Sequence, residues 1–543
     1  MLFSQITTNI GEVNSIGVKA NYLSTPLALF ADILKTNDHA LLLESAEIDS
    51  KDNLKSLMLI DAAVQFTCNG NIVECKALVD NGKPVIRFLT QVFEQSTDVK
   101  VNLANEHQLD VEFYPVNQNI TEDQRLKQVN AFEVLRTVIN QIKSPADSPF
   151  SLFLGGCFAY DMLANFESLP DVPNGLNTCP DYIFYLAETL VIIDHQNKTT
   201  ELLGNVFGGD DAYANCFSVG KKLEQINQKI DDTINTPNIT QSYGFADLTP
   251  ENAATVSVNV SDETFKQQVE QLKHNIVEGD IFQVVPSRCF SLPCQQPLDA
   301  YRHLKHDNPS PYMFYLKSPD FELFGASPES ALKYCATSQQ VEVYPIAGTR
   351  PRGFNPNGSI NMDLDSRIEL DLRNDKKEVA EHIMLVDLAR NDVARISKTG
   401  TRHTKELLKV DRYSYVMHLV SRVVGQLRDD LDPLHAYQAC MNMGTLVGAP
   451  KIKAAELVRS IEKTNRGSYG GAVGYLNGGG DMDSCIVIRS AFVQHGIAHV
   501  QAGAGVVYDS DPESEVQETV NKAKAVIRAV QASELYSGAQ SNE

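Results

Sequence analysis

The segment GGAVGYLNGGGDMDSCIVIRSAFVQHGIAHVQAGAGVV, residues 470–507, constrains the fold more than any other stretch. Short apolar runs alternate with turn chemistry, NGGGD at 477–481 and HG at 495–496. Connections this short join antiparallel neighbours, because a parallel pair needs a long crossover. Upstream, SLFLGGCFAYD and YIFYLAETLVIIDH read as further buried strands, with Gly155 and Gly156 letting backbones approach closely. Helices stand apart from these runs. SDETFKQQVEQLKHNIVEGDIFQVV offers Ser261 as an N-cap, continues as an amphipathic helix and stops at Gly279 before a strand. KKLEQINQKIDD, near 220–232, and SEVQETVNKAKAVIRAV are two more helical stretches. Strands in runs with helices segregated predict an α+β fold: large antiparallel sheets packed as a sandwich with helices on the outside.

A chain of 543 residues exceeds one ordinary core. The polar, Asn/Thr/Ser/Pro-rich stretch 233–260 reads as a linker. It divides an N-terminal domain, 1–232, from a second domain, 261–535, with a short tail, 536–543. A formal net charge of -22 argues against a nucleic-acid or anionic-membrane partner. The ten cysteines are scattered singly with no C-x-x-C pair, which suits reduced thiols rather than zinc or a disulfide framework. No secretory signal and no membrane-length apolar run are visible, so a cytoplasmic location is expected.

Two glycine-rich segments do not make nucleotide sites. GTLVGAPK, 444–451, lacks the spacing and the Lys-Ser/Thr pair of a phosphate loop. QAGAGVVYD places Tyr508 where a dinucleotide motif needs its third glycine.

The residues that carry chemistry lie elsewhere. Glu378 and Glu381 are three apart on one predicted helix, as are Glu515 and Glu518 on another. That spacing puts each pair on one helix face. Two such faces brought together would need a cation, and all-oxygen ligation suits Mg²⁺; taken alone, two solvated helix faces explain the spacing as well. Lys522 shares the face of Glu518. Arg489 interrupts CIVIRSAFV, read as one strand apolar on both sides. A buried guanidinium needs an anion, either a structural carboxylate or a substrate. Tyr469 adds a hydroxyl on a neighbouring strand, and Gly503 and Gly505 leave backbone N–H groups approachable.

The C-terminal half carries, in order, GDIFQVVPSR, NPSPYMFY, FGASPES, YPIAGTRPRG, ELDLRNDKKEVAEHIMLVDLARND, MNMGTLVGAPK, RGSYGGAVGY, DSCIVIRSA, QAGAGVV and ESEVQETVNKAKA. This succession resembles the chorismate-utilising enzymes, most closely their anthranilate-forming large components. LLLESAEIDSKDNLKSLMLIDAA near the start extends the resemblance over nearly the whole chain. The absence of tryptophan fits a chain made when tryptophan is scarce.

The resemblance implies conversion of chorismate and ammonia to anthranilate and pyruvate with Mg²⁺. It implies that Glu381 and Glu518 hold the metal, with Glu378 and Glu515 assisting. The ring carboxylate of chorismate would sit by the metal, Lys522, Gly348 and Thr349. The enolpyruvyl carboxylate would meet Arg489, Tyr469 and the Gly503–Ala504–Gly505 backbone. Glu329 matches the general acid, His418 a residue linked to elimination, and Thr445 a residue lining the ring pocket. Sister enzymes that add water carry a lysine where this chain has Gln283, and those forming aminodeoxychorismate carry one where it has Ala347. Without either lysine, ammonia attacks directly. Aminodeoxychorismate synthase and a silent tryptophan-sensing homologue are the rival readings. Ser45, Pro311, Tyr312 and Met313 match an inhibitory tryptophan site; N-P-S-P is also a strong turn signal. No glutaminase motif of the G-x-C-x-G kind is present, and LGGCFAY around Cys157 lacks the final glycine. Glutamine use would therefore need a glutamine amidotransferase subunit (component II), forming a pair of heterodimers.

Overall fold

A computed structural model describes residues 6–45, 54–144, 149–235, 254–413 and 416–540. Every pairing between its named strands is antiparallel. The C-terminal segment forms the expected meander: Ala472–Asn477, Met482–Ile486, Ser490–Gln494 and Ile497–Gly503. His495 and Gly496 both take left-handed backbone in its last turn. The helix Asp262–Glu278 is capped by the Ser261 side chain and ends at Gly279 with φ of 85°.

Two long strands organise the sheets. Lys55–Asn69 and Tyr182–Asp194 pair along their whole length, with register shifts between Leu59 and Val64. One end of the pair joins Ala40–Glu44 and Thr199–Phe207. The other end joins Ile72–Ala77 and Phe153–Phe158. Bulges bend strands and let them pass from one sheet to another. Gly156 serves this packing: a Cβ there would lie 2.0 Å from the Ile183 carbonyl oxygen.

The pleat sorts side chains between layers. In Ala40–Glu44, Leu41 points into a core with Leu59, Phe153, Ile183 and Phe314. Ala40 and Leu42 point the other way, against Leu29, Phe30, Tyr301 and Val526, residues that helices supply. A strand apolar on both faces is thus covered on both.

The sheets cross the expected division of the chain. Ala40–Glu44 pairs with Tyr312–Lys317, and Phe153–Phe158 pairs with Ala472–Asn477. Residues 236–253, most of the expected linker, and 541–543 of the expected tail lie outside the described residues. Residues 233–235 end the helix Ala212–Asn235, and the helix Pro512–Gln540 runs on through 536–540. All ten cysteines are free. Among the described residues, no helix is long and apolar enough to cross a membrane.

Candidate active site

Two paired stretches of chain are interrupted at the same level, and the interruption makes one wall of the site. Glu322–Ser327 pairs with Ser490–Gln494, whereas Ser330–Cys335 pairs with Met482–Ile486. The interruptions are Pro328–Glu329 and Val487–Arg489. They are tied together where the Ala326 N–H donates to the Arg489 carbonyl and the Ile486 N–H to the Glu329 carbonyl, both at 3.0 Å. The sequence placed Arg489 inside one continuous strand; instead it occupies the break, with φ of 50°. The pairing keeps one register across the gap, Gly325 opposite Ser490 and Ser330 opposite Cys485, while Arg489 itself leaves the extended conformation.

Glu329 is buried and accepts a hydrogen bond from Thr445 Oγ1 at 3.0 Å. Burial pushes its carboxyl up to about 8, against the Thr445 bond and the charges of Lys522 and Arg489. The Arg489 guanidinium makes no hydrogen bond or ion pair among the described residues. Burial pushes its pKa down, opposed by Tyr469, Glu518 and Glu329. His418, on the strand Val416–Gln426, lies opposite Thr349. Its Nδ1 shares a 2.9 Å hydrogen bond with Thr349 Oγ1, and Tyr413 packs edge-on at 5.2 Å. Burial, then the Arg489 charge, lower its pKa to about 4, so it is neutral at pH 7.

The four glutamates supply the acidic wall. Glu378 and Glu381 lie on the helix Lys376–Ile396, whose N-cap Asp375 accepts the Lys377 and Glu378 N–H groups. Glu515 and Glu518 lie on Pro512–Gln540. Burial, then the charges of Glu378 and Glu518, push Glu381 up to about 7. The two acidic faces therefore act on one another across helices. Glu515 is buried and raised, first by burial, and its Oε2 has no hydrogen-bond partner.

The carboxylates are partly engaged. Arg350 binds Glu378 at 2.9 Å, Asp375 at 2.6 Å and Asp371 at 3.1 Å. Lys522 pairs with Glu518 and donates to the Gly503 carbonyl at 3.0 Å. Gln283 Nε2 donates to Glu381 Oε1 at 2.9 Å. Among the described residues, no group of three or more His, Cys, Asp or Glu is gathered tightly enough to hold a metal ion. The donor set nevertheless fits Mg²⁺ in kind: all oxygen, mutually repelling, with one buried oxygen left over.

Backbone closes the site. A Cβ on Gly505 would stand 2.9 Å from Gln283 Nε2 and 3.4 Å from Glu381 Oε1. One on Gly348 (φ 84°) would stand 3.3 Å from Glu378 Oε2. Gly503 bonds the buried Tyr469 hydroxyl through its backbone. Ala504 donates to the Pro286 carbonyl at 3.1 Å.

Arg466, unremarked in the sequence reading, ties these pieces together. It is 2% exposed. It donates to the Leu446 carbonyl at 2.8 Å, the Val285 carbonyl at 2.6 Å and Glu462 at 2.5 Å. It also lies over the rings of Tyr160 and Tyr469. The available signal was a charged residue beside the glycines of RGSYGG. Gln283 and Arg350 as partners of the glutamates were also missed.

Ser45, Pro311, Tyr312 and Met313 line one cavity of about 620 Å³, with Met313 opposite Glu44 in the strand pairing. Pro328 and Ser330, the neighbours of Glu329, line it too. A larger cavity, about 1020 Å³, lies away from these residues along the helix Lys376–Ile396.

Comparison with known proteins shows the family of the chain. A family model described as chorismate binding enzyme matches residues 88–528. The chain is 53% identical over 526 residues to anthranilate synthase component 1 of Vibrio parahaemolyticus, covering 96% of this chain and 94% of that one. It is 50% identical over 521 residues to the Escherichia coli protein of that name, covering 94% and 95%. Among solved structures it is similar to anthranilate synthase component I from Streptococcus pneumoniae, with a TM-score of 0.65, 28% identity and coverage of 89% and 94%. The menaquinone-specific isochorismate synthase MenF from Escherichia coli shares the fold, with a TM-score of 0.62, 15% identity and coverage of 98% and 97%.

Proposed function

This chain belongs to the chorismate binding enzymes, within the anthranilate synthase component 1 group, and from that premise we propose how its residues divide the conversion of chorismate to anthranilate. The observation that carries the reading is a site with two complementary deficits. The Arg489 guanidinium bonds no carboxylate among the described residues, and Glu381, raised first by burial, still feels the charges of Glu378 and Glu518 although Arg350 and Lys522 pair with those two. A dianionic substrate with Mg²⁺ supplies both.

In this reading Arg489, Tyr469 and the Gly503–Ala504–Gly505 backbone hold the enolpyruvyl carboxylate. Lys522 and the backbone of Gly348 and Thr349 face the ring carboxylate. Glu381 and Glu518 would hold Mg²⁺, assisted by Glu378 and Glu515. When bound, the metal neutralises the ring carboxylate and fixes its orientation.

Glu329, protonated at pH 7, gives its proton to the C4 hydroxyl, which leaves as water while ammonia bonds to C2. Thr445 orients that acid through the 3.0 Å hydrogen bond. In the second step the C2 proton is removed, the C3–O bond breaks and pyruvate leaves, giving the aromatic ring. His418, neutral and held by Thr349, would accept that proton. Gln283 and Ala347 offer no lysine, which leaves ammonia as the nucleophile.

Tryptophan, bound against Ser45, Pro311, Tyr312 and Met313, is the proposed inhibitor, antagonising chorismate through two states that bind the two ligands differently. A glutamine amidotransferase subunit, component II, is the proposed source of ammonia, in a pair of heterodimers. The free thiols suit a cytoplasmic location.

The test is anthranilate fluorescence from purified chain, chorismate, ammonium and Mg²⁺, with and without EDTA and tryptophan. Anthranilate abolished by EDTA and suppressed by tryptophan is expected. An aminated or hydroxylated product without aromatisation would assign a sister reaction instead. No turnover at all, with tryptophan still bound, would leave a silent sensor.

A further inference from the structure

Two cavities meet on the helix Lys376–Ile396. The larger, about 1020 Å³, is lined along the helix by Ala380, Ile383, Asp387 and Asn391, with Phe282, 69% exposed, beside it. The smaller, about 20 Å³, is lined by Glu329, Gly444, Thr445, Leu385 and Ala389. Leu388 and Asp392 line both. Successive helical residues are about 100° apart. Glu378, Glu381 and Leu385 therefore share one face and Ala380, Ile383, Asp387 and Asn391 another. Leu388 falls between the two, at the edge of the first face, and Asp392 lies on the first face.

The dimensions limit what could occupy the smaller space. A cavity needs roughly 10–15 Å³ to hold one water molecule, and ammonia is of similar size. Leu388 and Gly444 form the partition: a Cβ on Gly444 would lie 2.2 Å from Leu388 Cδ2. Asp392, also on the partition, is held by Lys451 at 2.7 Å. Its charge is compensated, and the remaining partition is the leucine side chain, which can change rotamer. The Leu388 constriction favours a neutral guest, since an ammonium ion would lose hydration there and the carboxylate beside it, Asp392, is already paired with Lys451.

We propose that ammonia enters from the groove along Lys376–Ile396, passes Leu388 and waits in the one-molecule chamber beside Glu329 and Thr445, separately from chorismate. The proposal rests on the anthranilate-forming reading of the site. It makes Leu388 and Gly444 determinants of nucleophile access, with no part in holding chorismate.

The test is steady-state anthranilate formation from the full chain with Leu388→Trp and Leu388→Ala. Ammonium chloride is varied at saturating chorismate, then chorismate at saturating ammonium. The tryptophan should raise the KM for ammonia by roughly tenfold or more and leave the KM for chorismate within about twofold. The alanine should leave the ammonia KM at or below the unsubstituted value. Gly444→Ala, which pushes on Leu388 from the other side, repeats the plug if Leu388→Trp fails to fold. An unchanged ammonia KM in the plugged variants overturns the route, as does an equal rise in both KM values. An unsubstituted chain that makes no anthranilate from ammonium would instead sink the functional reading.

Discussion

Gln283 donates its amide N–H to Glu381 Oε1 at 2.9 Å, bringing a neutral side chain against the most strongly perturbed carboxylate of the acidic wall. A neutral donor stabilises the carboxylate without competing for its charge. Gln283→Lys would place an ammonium there and form an ion pair that a metal must displace. The Mg²⁺ concentration for half-maximal anthranilate formation should rise about 10–100-fold. An unchanged Mg²⁺ requirement would show that Glu381 does not hold the metal.

Glu329 sets an alkaline limit. Its carboxyl is protonated below about pH 8 and ionised above it, so the acid form is lost as pH rises. With chorismate, Mg²⁺ and free ammonia saturating, turnover should fall above that value. Glu329→Gln should lower turnover by about 10²–10⁴ and remove the limb. A pH–rate profile of both proteins decides the matter; equal turnover with ammonium would clear Glu329 of the role.

Arg489 should exchange stability for substrate affinity. Burial already disfavours its charge, and no anion meets it among the described residues. Arg489→Met removes a half-buried guanidinium that bonds no carboxylate among the described residues, so thermal unfolding should occur at the same temperature or higher. The same change should reduce kcat/KM for chorismate by about 10²-fold or more, through lost charge-assisted hydrogen bonds. A sharp fall in melting temperature would mean that the guanidinium has a structural anion.

Arg466 is a positioning residue. Lysine cannot reproduce bonds to the Leu446 carbonyl, the Val285 carbonyl and Glu462 at once. Arg466→Lys should keep the fold yet raise the KM for chorismate about tenfold, because Thr445 and Tyr469 lose their fixed backbones. Arg466→Ala, which strands buried Glu462, should cost about 3–5 kcal/mol of stability, read by denaturant unfolding.

Much of this was legible in the chain itself. The meander after Ala472 follows from its turns, and the carboxylate pairs follow from spacing of three. Arg489 stood out as a charge among apolar residues, but its break in the strand was hidden. The interruption falls within a pairing to strands about 150 residues upstream, which the local sequence does not reveal. The engagement of Glu378 by Arg350 was hidden for a similar reason. The strand Ile346–Pro351 and the helix Met362–Asn374 bring that arginine back across 28 residues, a pairing no helical period encodes. Arg466 was overlooked because two of its four hydrogen bonds go to backbone carbonyls, which carry no sequence signature.

The strand Ala40–Glu44 lies between Lys55–Asn69 on one edge and Tyr312–Lys317 on the other. Its first neighbour follows almost at once during synthesis. The second emerges some 270 residues later, roughly 15–50 s at about 5–20 residues per second. Throughout that interval the newborn chain displays an unpaired edge whose side chains are apolar on both faces, a template for any neighbouring nascent strand. Yield of active protein should therefore depend on translation speed and chaperone supply, even where the finished molecule is stable.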